Sequence, residues 1–361
     1  MPTSPPTDSR PVGTGASGAT EPDGATPSNR TVLKKLAVVI VGLTAVLTVM
    51  FLAFGLPAIN SGPHHVPIGV TGPKAATDAL RSSIGEHGDG AWDVTAYPDA
   101  KTLTRAVEER EISGGFALGQ GSVTVYSASA AGAQTAAAIN SMGSVLATGQ
   151  HARVTVHDVV PFPEDDSRGA GLTAAALPMI IGGSMPAIAL LKLFPGHSGL
   201  RTRVTGALLF ALAAGFAMTA VLQFGFGTVD GSYWLTALGM SLSMAALAIP
   251  LLGLESLFGF AGLGAGMALV MIVGNPLSGM ATGAHWLPDG WSTVGQLLPP
   301  GASGSLLRAN AYFDGTGAAG PIAVLACWVL AGLVLVLAAD RRARKSATTP
   351  ESTTAPALGT A

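Results

Sequence analysis

Charged residues are scarce in this chain of 361 residues: Asp, Glu, Lys and Arg make up 11% of it. A soluble globular domain carries roughly 25%. The deficit is concentrated between residues 171 and 340, where the long blocks are almost entirely apolar. The formal net charge of −2 offers no basic excess for binding nucleic acid. The scarcity of charge therefore argues against an ordinary soluble protein and predicts an integral membrane protein that binds no nucleic acid.

Cysteine and the common catalytic motifs are also lacking. The lone Cys327 cannot form an intrachain disulfide. The chain has no G-x-x-x-x-G-K-[ST] phosphate loop, no H-E-x-x-H zinc motif and no G-x-S-x-G serine motif. His64-His65 and the acidic run 164–166 are metal candidates, but a surface loop and a solvated linker are the simpler interpretations. We expect a protein that is not an enzyme, with no catalytic residue, cofactor or bound metal.

Apolar blocks long enough to cross a membrane are plentiful, since a hydrocarbon core about 30 Å thick needs about 20 helical residues. The first block stands alone and the others are clustered. Their approximate bounds are 36–57, 172–194, 204–226, 233–254, 257–281 and 320–339. The first is longer than the apolar region of a cleaved signal peptide and lacks a clear small-residue cleavage site. The pattern predicts an uncleaved anchor followed by a group of five spans.

Basic residues predict the orientation of these spans, because short cytoplasmic loops carry an excess of Lys and Arg. Clusters precede the first span, follow the second and follow the sixth; they comprise Arg30, Lys34 and Lys35, then Lys192, Arg201 and Arg203, then Arg341, Arg342, Arg344 and Lys345. With six spans, all three clusters fall on one side of the membrane. We therefore expect cytoplasmic N- and C-termini in a multi-pass protein of the plasma membrane.

Residues 59–170 carry a different pattern. Alternating apolar residues predict strands, and helical spacing predicts helices between them. The predicted strands are 66–70, 92–96, 115–118, 122–126 and 153–160, and the predicted helices are 74–84, 99–110 and 130–147. The stretch 60–170 is acidic, with 12 Asp and Glu against 7 Lys and Arg. These elements predict a small α/β domain outside the cell.

The predicted fold class is an α-helical polytopic membrane protein with six transmembrane helices and an extracytoplasmic α/β domain inserted between the first and second. Residues 1–30 and 341–361 are rich in Pro, Ser, Thr, Gly and Ala and lack apolar periodicity, which predicts disordered cytoplasmic tails. The first span occupies 31–58, the α/β domain 59–170 and the five-helix membrane domain 171–340.

Three membrane-domain residues stand out as candidates for a gate or for packing. Glu255 lies between the predicted fourth and fifth spans, where it is either a gate or partner contact or a turn residue at the cytoplasmic interface. Gly262 and Gly266 form a G-x-x-x-G. That spacing lets helices approach closely, either within the chain or at a dimer or gate interface.

The stretch 282–318 is too apolar for an ordinary external loop and too rich in proline for a continuous helix. It predicts a broken, re-entrant or interfacial segment that caps the outer mouth, with tryptophans suited to a membrane interface. The motif residues within and just before it are Asn275, Pro276, Gly279, Trp286, Pro299, Pro300 and Gly301.

The one-plus-five layout, with N-P-L-S-G at 275–279 and L-P-P-G-A at 298–302, resembles membrane proteins of the ABC-2 transporter type. Within that family the chain is similar to the YhgE/Pip-like (phage infection protein) branch, over about residues 31–340. The resemblance implies a permease subunit that forms homo- or heterodimers among membrane lipids. It also implies a loop that couples to a separate cytoplasmic ATPase, with candidate residues Lys192, His197, Arg201 and Arg203.

Two functions follow from the resemblance. The first is export of a hydrophobic or amphipathic substrate, driven by the partner ATPase. The second is a non-transporting protein of the cell envelope whose external domain binds a partner, as the phage-infection branch implies.

Overall fold

The computed structural model describes residues 29–88, 90–195, 199–280 and 282–347. Within them the chain is mostly helical and contains a small mixed sheet. Residues 1–49 and 50–361 form two separate compact units. The predicted tails, up to residue 28 and from residue 348, lie outside the described residues, as does His197.

Five helices in the described part are long and apolar enough to cross a membrane, which is compatible with a membrane location. π-Helical turns, Val221–Gly225 and Leu269–Gly274, extend the third and fourth of them. The five are α1 (Asn29–Ile59), α5 (Ala170–Leu193), α6 (Leu200–Ala220), α7 (Tyr233–Ala268) and α10 (Ala319–Ala347). The predicted blocks overlap these helices, with the fourth and fifth blocks both in α7. The fifth block, 257–281, extends beyond the π-helical turn that ends at Gly274.

The break predicted around Glu255 is wrong in position. The helix continues through Glu255 and bends at Gly259, where φ is 63° and ψ is −149°. This backbone region is essentially open to glycine alone, because a Cβ would clash with the neighbouring peptide groups. A charged residue in an apolar run, Glu255, predicts a turn, but the bend occurs at Gly259 because glycine alone adopts this backbone conformation readily.

After the bend the chain packs back against the residues that precede it. A Cβ added at Gly266 would lie 2.7 Å from Leu251 Cδ2 and 2.9 Å from Leu254 Cδ1, and one at Gly262 would clash with the carbonyl oxygen of Leu254. In a straight helix residues 251 and 266 would be about 22 Å apart. Residues 262 and 266 therefore lie against residues 251–254, so the chain folds back on itself after Gly259.

The sheet has the strand order β2-β1-β3-β4-β5, and every pairing is parallel except the antiparallel β3–β4 hairpin. Its elements lie within a few residues of their predicted bounds. In chain order they are β1 (Val66–Thr71), α2 (Lys74–His87), β2 (Trp92–Ala96), α3 (Ala100–Glu108), β3 (Gly114–Gly119), β4 (Ser122–Ser127), α4 (Ala133–Gly149) and β5 (Arg153–Asp158).

Side chains of the central strands β1, β3 and β4 are buried on both faces of this sheet, whereas β5 at the edge is exposed. Ile68, Phe116 and Val125 point to one face, where they form a core with residues of α2 and α4. The other face is covered by α3, together with Phe313 from the distant end of the chain. The sheet and the long helices after it therefore belong to one packed body.

Helix α7 is the centre of the helical part and is buried along most of its first 20 residues. It packs against α5, α6 and α10 through aliphatic and methionine side chains. Glycines allow its closest crossing with α10, where a Cβ at Gly253 would lie 2.7 Å from Leu335 Cβ and one at Gly332 would meet the backbone of Pro250.

The stretch between α7 and α10, residues 275–280 and 282–318, is termed the connecting segment. It is broken as the sequence predicts. Its elements are 3-10 turns Pro276–Ser278 and Ala284–Trp286 and the helices α8 (Trp291–Leu297) and α9 (Pro299–Tyr312). Pro299 and Pro300 stand in the first turn of α9, where the missing proline N–H costs no helical hydrogen bond.

Candidate functional site

The structure brings together the two sequence motifs of the connecting segment. A Cβ at Gly274 would lie 3.0 Å from Pro300 Cγ, while one at Gly295 would clash with the carbonyl of Leu277 and one at Gly301 with that of Gly295. Glycine is therefore required at positions 295 and 301, where backbone packs directly on backbone. The N-P-L-S-G and L-P-P-G-A motifs lie together in one compact unit, residues 274–279 and 295–302, which is termed the motif cluster.

Side-chain and backbone hydrogen bonds join the connecting segment, next to this motif cluster, to the sheet domain. Trp286 Nε1 donates to Thr135 Oγ1 at 2.8 Å, which ties the connecting segment to the start of α4. The backbone N–H of His64 donates to the carbonyl of His285 at 2.8 Å. Trp286 thus has a specific partner in the fold, in addition to the interfacial character that its type suggests.

A polar cavity of about 230 Å³ lies between the motif cluster and the sheet domain. Among the residues that the structure describes, no Asp or Glu lines it. The polar side chains that do so are Arg110, Ser113, Thr135, Ser278, His285, Gln296, Ser305 and Arg308. The cavity is therefore a basic one, although the stretch 60–170 as a whole is acidic.

Arg110 reaches the cavity from just beyond the end of α3. Its Nη1 donates to the carbonyl of Thr316 at 3.2 Å, and its guanidinium carbon lies 5.1 Å from the centroid of the Phe313 ring. Burial, and then repulsion from Arg308, lower the pKa of Arg110 to about 10. The side chain therefore stays protonated at neutral pH.

Arg308 faces the cavity from the buried helix α9. Its Nη2 donates to the carbonyl of Met280 at 3.1 Å. Burial lowers the pKa of Arg308, and the neighbouring Tyr312 acts in the opposite direction. The same surroundings raise the pKa of Tyr312 to about 12, mainly through burial, so that its phenol stays neutral. Since a guanidinium stays protonated in proteins, Arg110 and Arg308 bring two like charges to the same cavity.

An apolar cavity of about 310 Å³ adjoins the polar one, and the two share Ser278, Gly279 and Met280. Its other walls are the end of α1, the start of α5 and the connecting segment. These walls are formed by Phe54, Pro57, Ser61, Thr173, Ala176, Asn275, Pro276, Thr282, Trp286 and Leu287. Four of the motif residues thus line a cavity: Asn275, Pro276, Gly279 and Trp286. The other three, Pro299, Pro300 and Gly301, are buried in the motif cluster.

The candidate coupling residues fall into two groups. Lys192 and Arg201 are exposed on either side of the α5–α6 connection. Arg203 is buried instead, with Nη1 3.0 Å from Glu255 Oε2 and Nε donating to the carbonyl of Phe194 at 2.8 Å. Sequence patterns predict separate roles for Arg203 and Glu255, but the structure pairs them.

The G-x-x-x-G glycines, Gly262 and Gly266, make contacts within the chain, against residues that precede the bend in α7. The acidic run 164–166 differs from the predicted solvated linker. Asp166 is buried and accepts hydrogen bonds from the backbone N–H groups of Ala170 and Gly171, at 2.8 and 2.7 Å. It therefore caps the first turn of α5, whose free N–H groups need an acceptor.

Among the described residues, no group of three or more His, Cys, Asp and Glu is placed to hold a metal ion. Comparison with family models, with curated proteins and with solved structures finds no match to this chain. The functional argument therefore depends on the site itself.

Sequence reasoning missed Arg110 and Arg308. Arg110 follows an amphipathic helix among acidic neighbours, which is the pattern of a surface residue. Arg308 lies in an otherwise apolar or small-residue stretch, and an isolated charge there was the available signal. The two approach only because the end of the connecting segment packs on α3, a contact between residues far apart in the sequence.

Proposed function

We propose that this chain is the membrane subunit, or permease, of an ABC-2-like exporter in the plasma membrane. It moves a hydrophobic or amphipathic substrate and is driven by a separate ATPase. The observation that carries this proposal is the apolar cavity of about 310 Å³, which is bounded by two membrane-length helices and the motif-bearing connecting segment. Ligand sites are concave, largely apolar and supplied with a few polar groups, as this pair of adjoining cavities is.

Six crossings fit the geometry of α7. The apolar run Tyr233–Gly274 contains 42 residues, which as helix would span about 63 Å, roughly twice the hydrocarbon thickness. The chain folds back at Gly259. Two crossings by this run, with one by each of the other four helices, give cytoplasmic termini and an external sheet. The cavities then open on the outer side.

The opposite side of the membrane would carry the ATPase contact. Lys192 and Arg201 are exposed there, and the Arg203–Glu255 pair ties the start of α6 to the end of α7 before its bend. A force on the α5–α6 connection would be transmitted to α7, which packs against α5, α6 and α10. This arrangement supports coupling between a cytoplasmic motor and the central helix.

Co-purification from the native host tests this proposal. We expect an ATPase to co-purify with the tagged full-length chain in mild detergent. The double charge reversal Lys192→Glu/Arg201→Glu should lower the recovered ATP hydrolysis about tenfold, because exposed basic residues are replaced by repelling ones. Lys101→Glu, an exposed reversal on α3, is the matched control and should have no effect. Recovery of no ATPase, with unchanged efflux of amphipathic compounds from a deletion strain, contradicts the proposal.

The edge of the sheet favours the second function, a non-transporting envelope protein that binds a partner. β5 is an edge strand, and Val154 and Val156 on it are 42% and 49% exposed. An exposed edge with apolar side chains is suited to pairing with an extended segment of another protein. Efflux that depends on the chain, but is unaffected by Val154→Lys, counts against this second function.

A further inference from the structure

Arg110 and Arg308 line the polar cavity, and no Asp or Glu among the described residues lines it with them. Each guanidinium donates one hydrogen bond to a backbone carbonyl, that of Thr316 or of Met280. In the part of the chain that the structure describes, neither forms a salt bridge. A guanidinium has five N–H donors. Most of the donors on these two arginines therefore remain for a ligand.

An anion would remove the unfavourable electrostatics of the cavity. Burial disfavours the charged form of each arginine, and repulsion from Arg308 adds to this at Arg110, as their lowered pKa values record. Since a guanidinium stays protonated in proteins, the cavity nevertheless holds two positive charges. A phosphate monoester carries about −1.5 to −2 charges at pH 7, and guanidinium groups bind its oxygens through paired hydrogen bonds. A phosphate matches this charge better than a single carboxylate does.

The end of α3 positions Arg110. Its φ of 60° belongs to the turn that ends the helix, in which the N–H of Arg110 donates to the carbonyl of Val107 and the N–H of Glu111 to that of Ala106. The guanidinium lies over Phe313 and close to Gly317, where an added Cβ would be 3.2 Å from Nη1. These contacts hold the side chain at the wall of the polar cavity.

Neighbouring cavities extend the site in two directions. The apolar cavity shares Met280 with the polar one and ends at α1 and α5. A smaller cavity of about 60 Å³ shares Met280, Gly304 and Arg308 with the polar one and is also lined by Arg168. Met280 thus lies in the walls of two cavities that contain arginines and of the adjoining apolar cavity.

We propose that the polar cavity binds the phosphate group of an amphipathic molecule, with Arg110 and Arg308 donating to its oxygens and the apolar cavity holding its hydrocarbon chain. This inference rests on the proposed export function only in giving the bound molecule the role of substrate. Binding itself requires neither an ATPase nor movement.

Equilibrium binding to the purified full-length protein in neutral detergent tests the site. The probes are dihexanoyl phosphatidic acid, dihexanoyl phosphatidylcholine and inorganic phosphate. We expect saturable binding of phosphatidic acid, with phosphatidylcholine and inorganic phosphate each weaker by about tenfold or more. Phosphatidylcholine carries one negative charge on its phosphate in place of two, and inorganic phosphate has no hydrocarbon chains. Binding of inorganic phosphate as tight as that of phosphatidic acid overturns the assignment of the apolar cavity to the chain.

Arginine variants separate the site from general charge. Arg110→Gln and Arg308→Gln should each weaken phosphatidic acid binding by about tenfold or more, because each removes charge-assisted hydrogen bonds. Arg105→Gln, an exposed change on α3, is the matched control and should bind as the wild type does. Arg110→Lys and Arg308→Lys keep the charge and should bind with intermediate affinity, even if a glutamine variant fails to fold.

Two results would overturn the inference: no saturable phosphatidic acid binding to the wild type, or equal losses in Arg105→Gln and the two cavity variants. The outcome is separate from that of the export proposal. Binding that persists when no ATPase co-purifies counts against export alone. ATPase co-purification without phosphatidic acid binding counts against this site alone.

Discussion

At the scale of single residues, the Arg203–Glu255 pair gives the helical part a fixed polar contact. The side chains are only 5% and 15% exposed, and they join α6 to α7 just before the bend. Such pairs contribute less by their attraction than they cost when one partner is removed, because the other charge is then left buried and uncompensated. The pair therefore acts as a constraint on how the two helices meet.

Breaking this pair should destabilise the protein strongly. Glu255→Gln or Arg203→Gln should each lower the free energy of unfolding by about 3 kcal/mol, because one buried charge loses its partner. The double variant should be more stable than the sum of the two losses predicts, since neither charge remains. Thermal unfolding of all four forms in one detergent gives the comparison. Strictly additive losses would show that the two charges do not interact.

Single residues also show where sequence reasoning fails. Glu255 stands out in the sequence because a charge in an apolar run is costly. Its partner Arg203 lies in another helix, so the local pattern around Glu255 does not predict the pair. Arg110 and Arg308 likewise reach one cavity from distant parts of the chain. Sequence patterns report the periodicity of one element, whereas these pairings depend on how elements pack.

At the scale of elements, the strands and helices of the sheet domain lie within about three residues of their predicted bounds, because alternation and short polar turns mark each of them. β2 agrees with its predicted bounds at both ends. The bend in α7 was misplaced because its signal is a single glycine among several. Gly259, Gly262, Gly264 and Gly266 look alike in sequence, and only Gly259 has a positive φ.

The difference among these glycines is testable. Gly259→Ala should destabilise the protein by about 1 to 3 kcal/mol, because alanine does not tolerate the backbone conformation of the bend. Gly264→Ala is the matched control, since its added Cβ would meet nothing within 4 Å and its backbone is helical. That change should be neutral or stabilising by up to about 1 kcal/mol. Equal thermal unfolding temperatures for both variants would contradict the bend.

At the scale of the whole molecule, the cavities, the sheet and the fold-back are parts of one arrangement. In the topology proposed above, the fold-back at Gly259 gives six crossings. That topology predicts that the two-arginine cavity and the basic α5–α6 connection face opposite sides of the membrane, as the proposed export function requires. Sequence hydropathy predicted the six blocks, but the joining of two of them in one bent helix came from the structure.

The most direct test of this arrangement is accessibility of single cysteines in intact cells, in a Cys327→Ser background. Gln120→Cys in the β3–β4 turn and Asp289→Cys in the connecting segment should react with a membrane-impermeant maleimide. Arg201→Cys and Arg341→Cys should react only after the cells are permeabilised; all four positions are exposed. Six crossings predict that positions 120 and 289 are labelled from outside and that positions 201 and 341 are not. Labelling of Arg341→Cys from outside, with Asp289→Cys protected, would mean that α7 crosses once and would contradict the account.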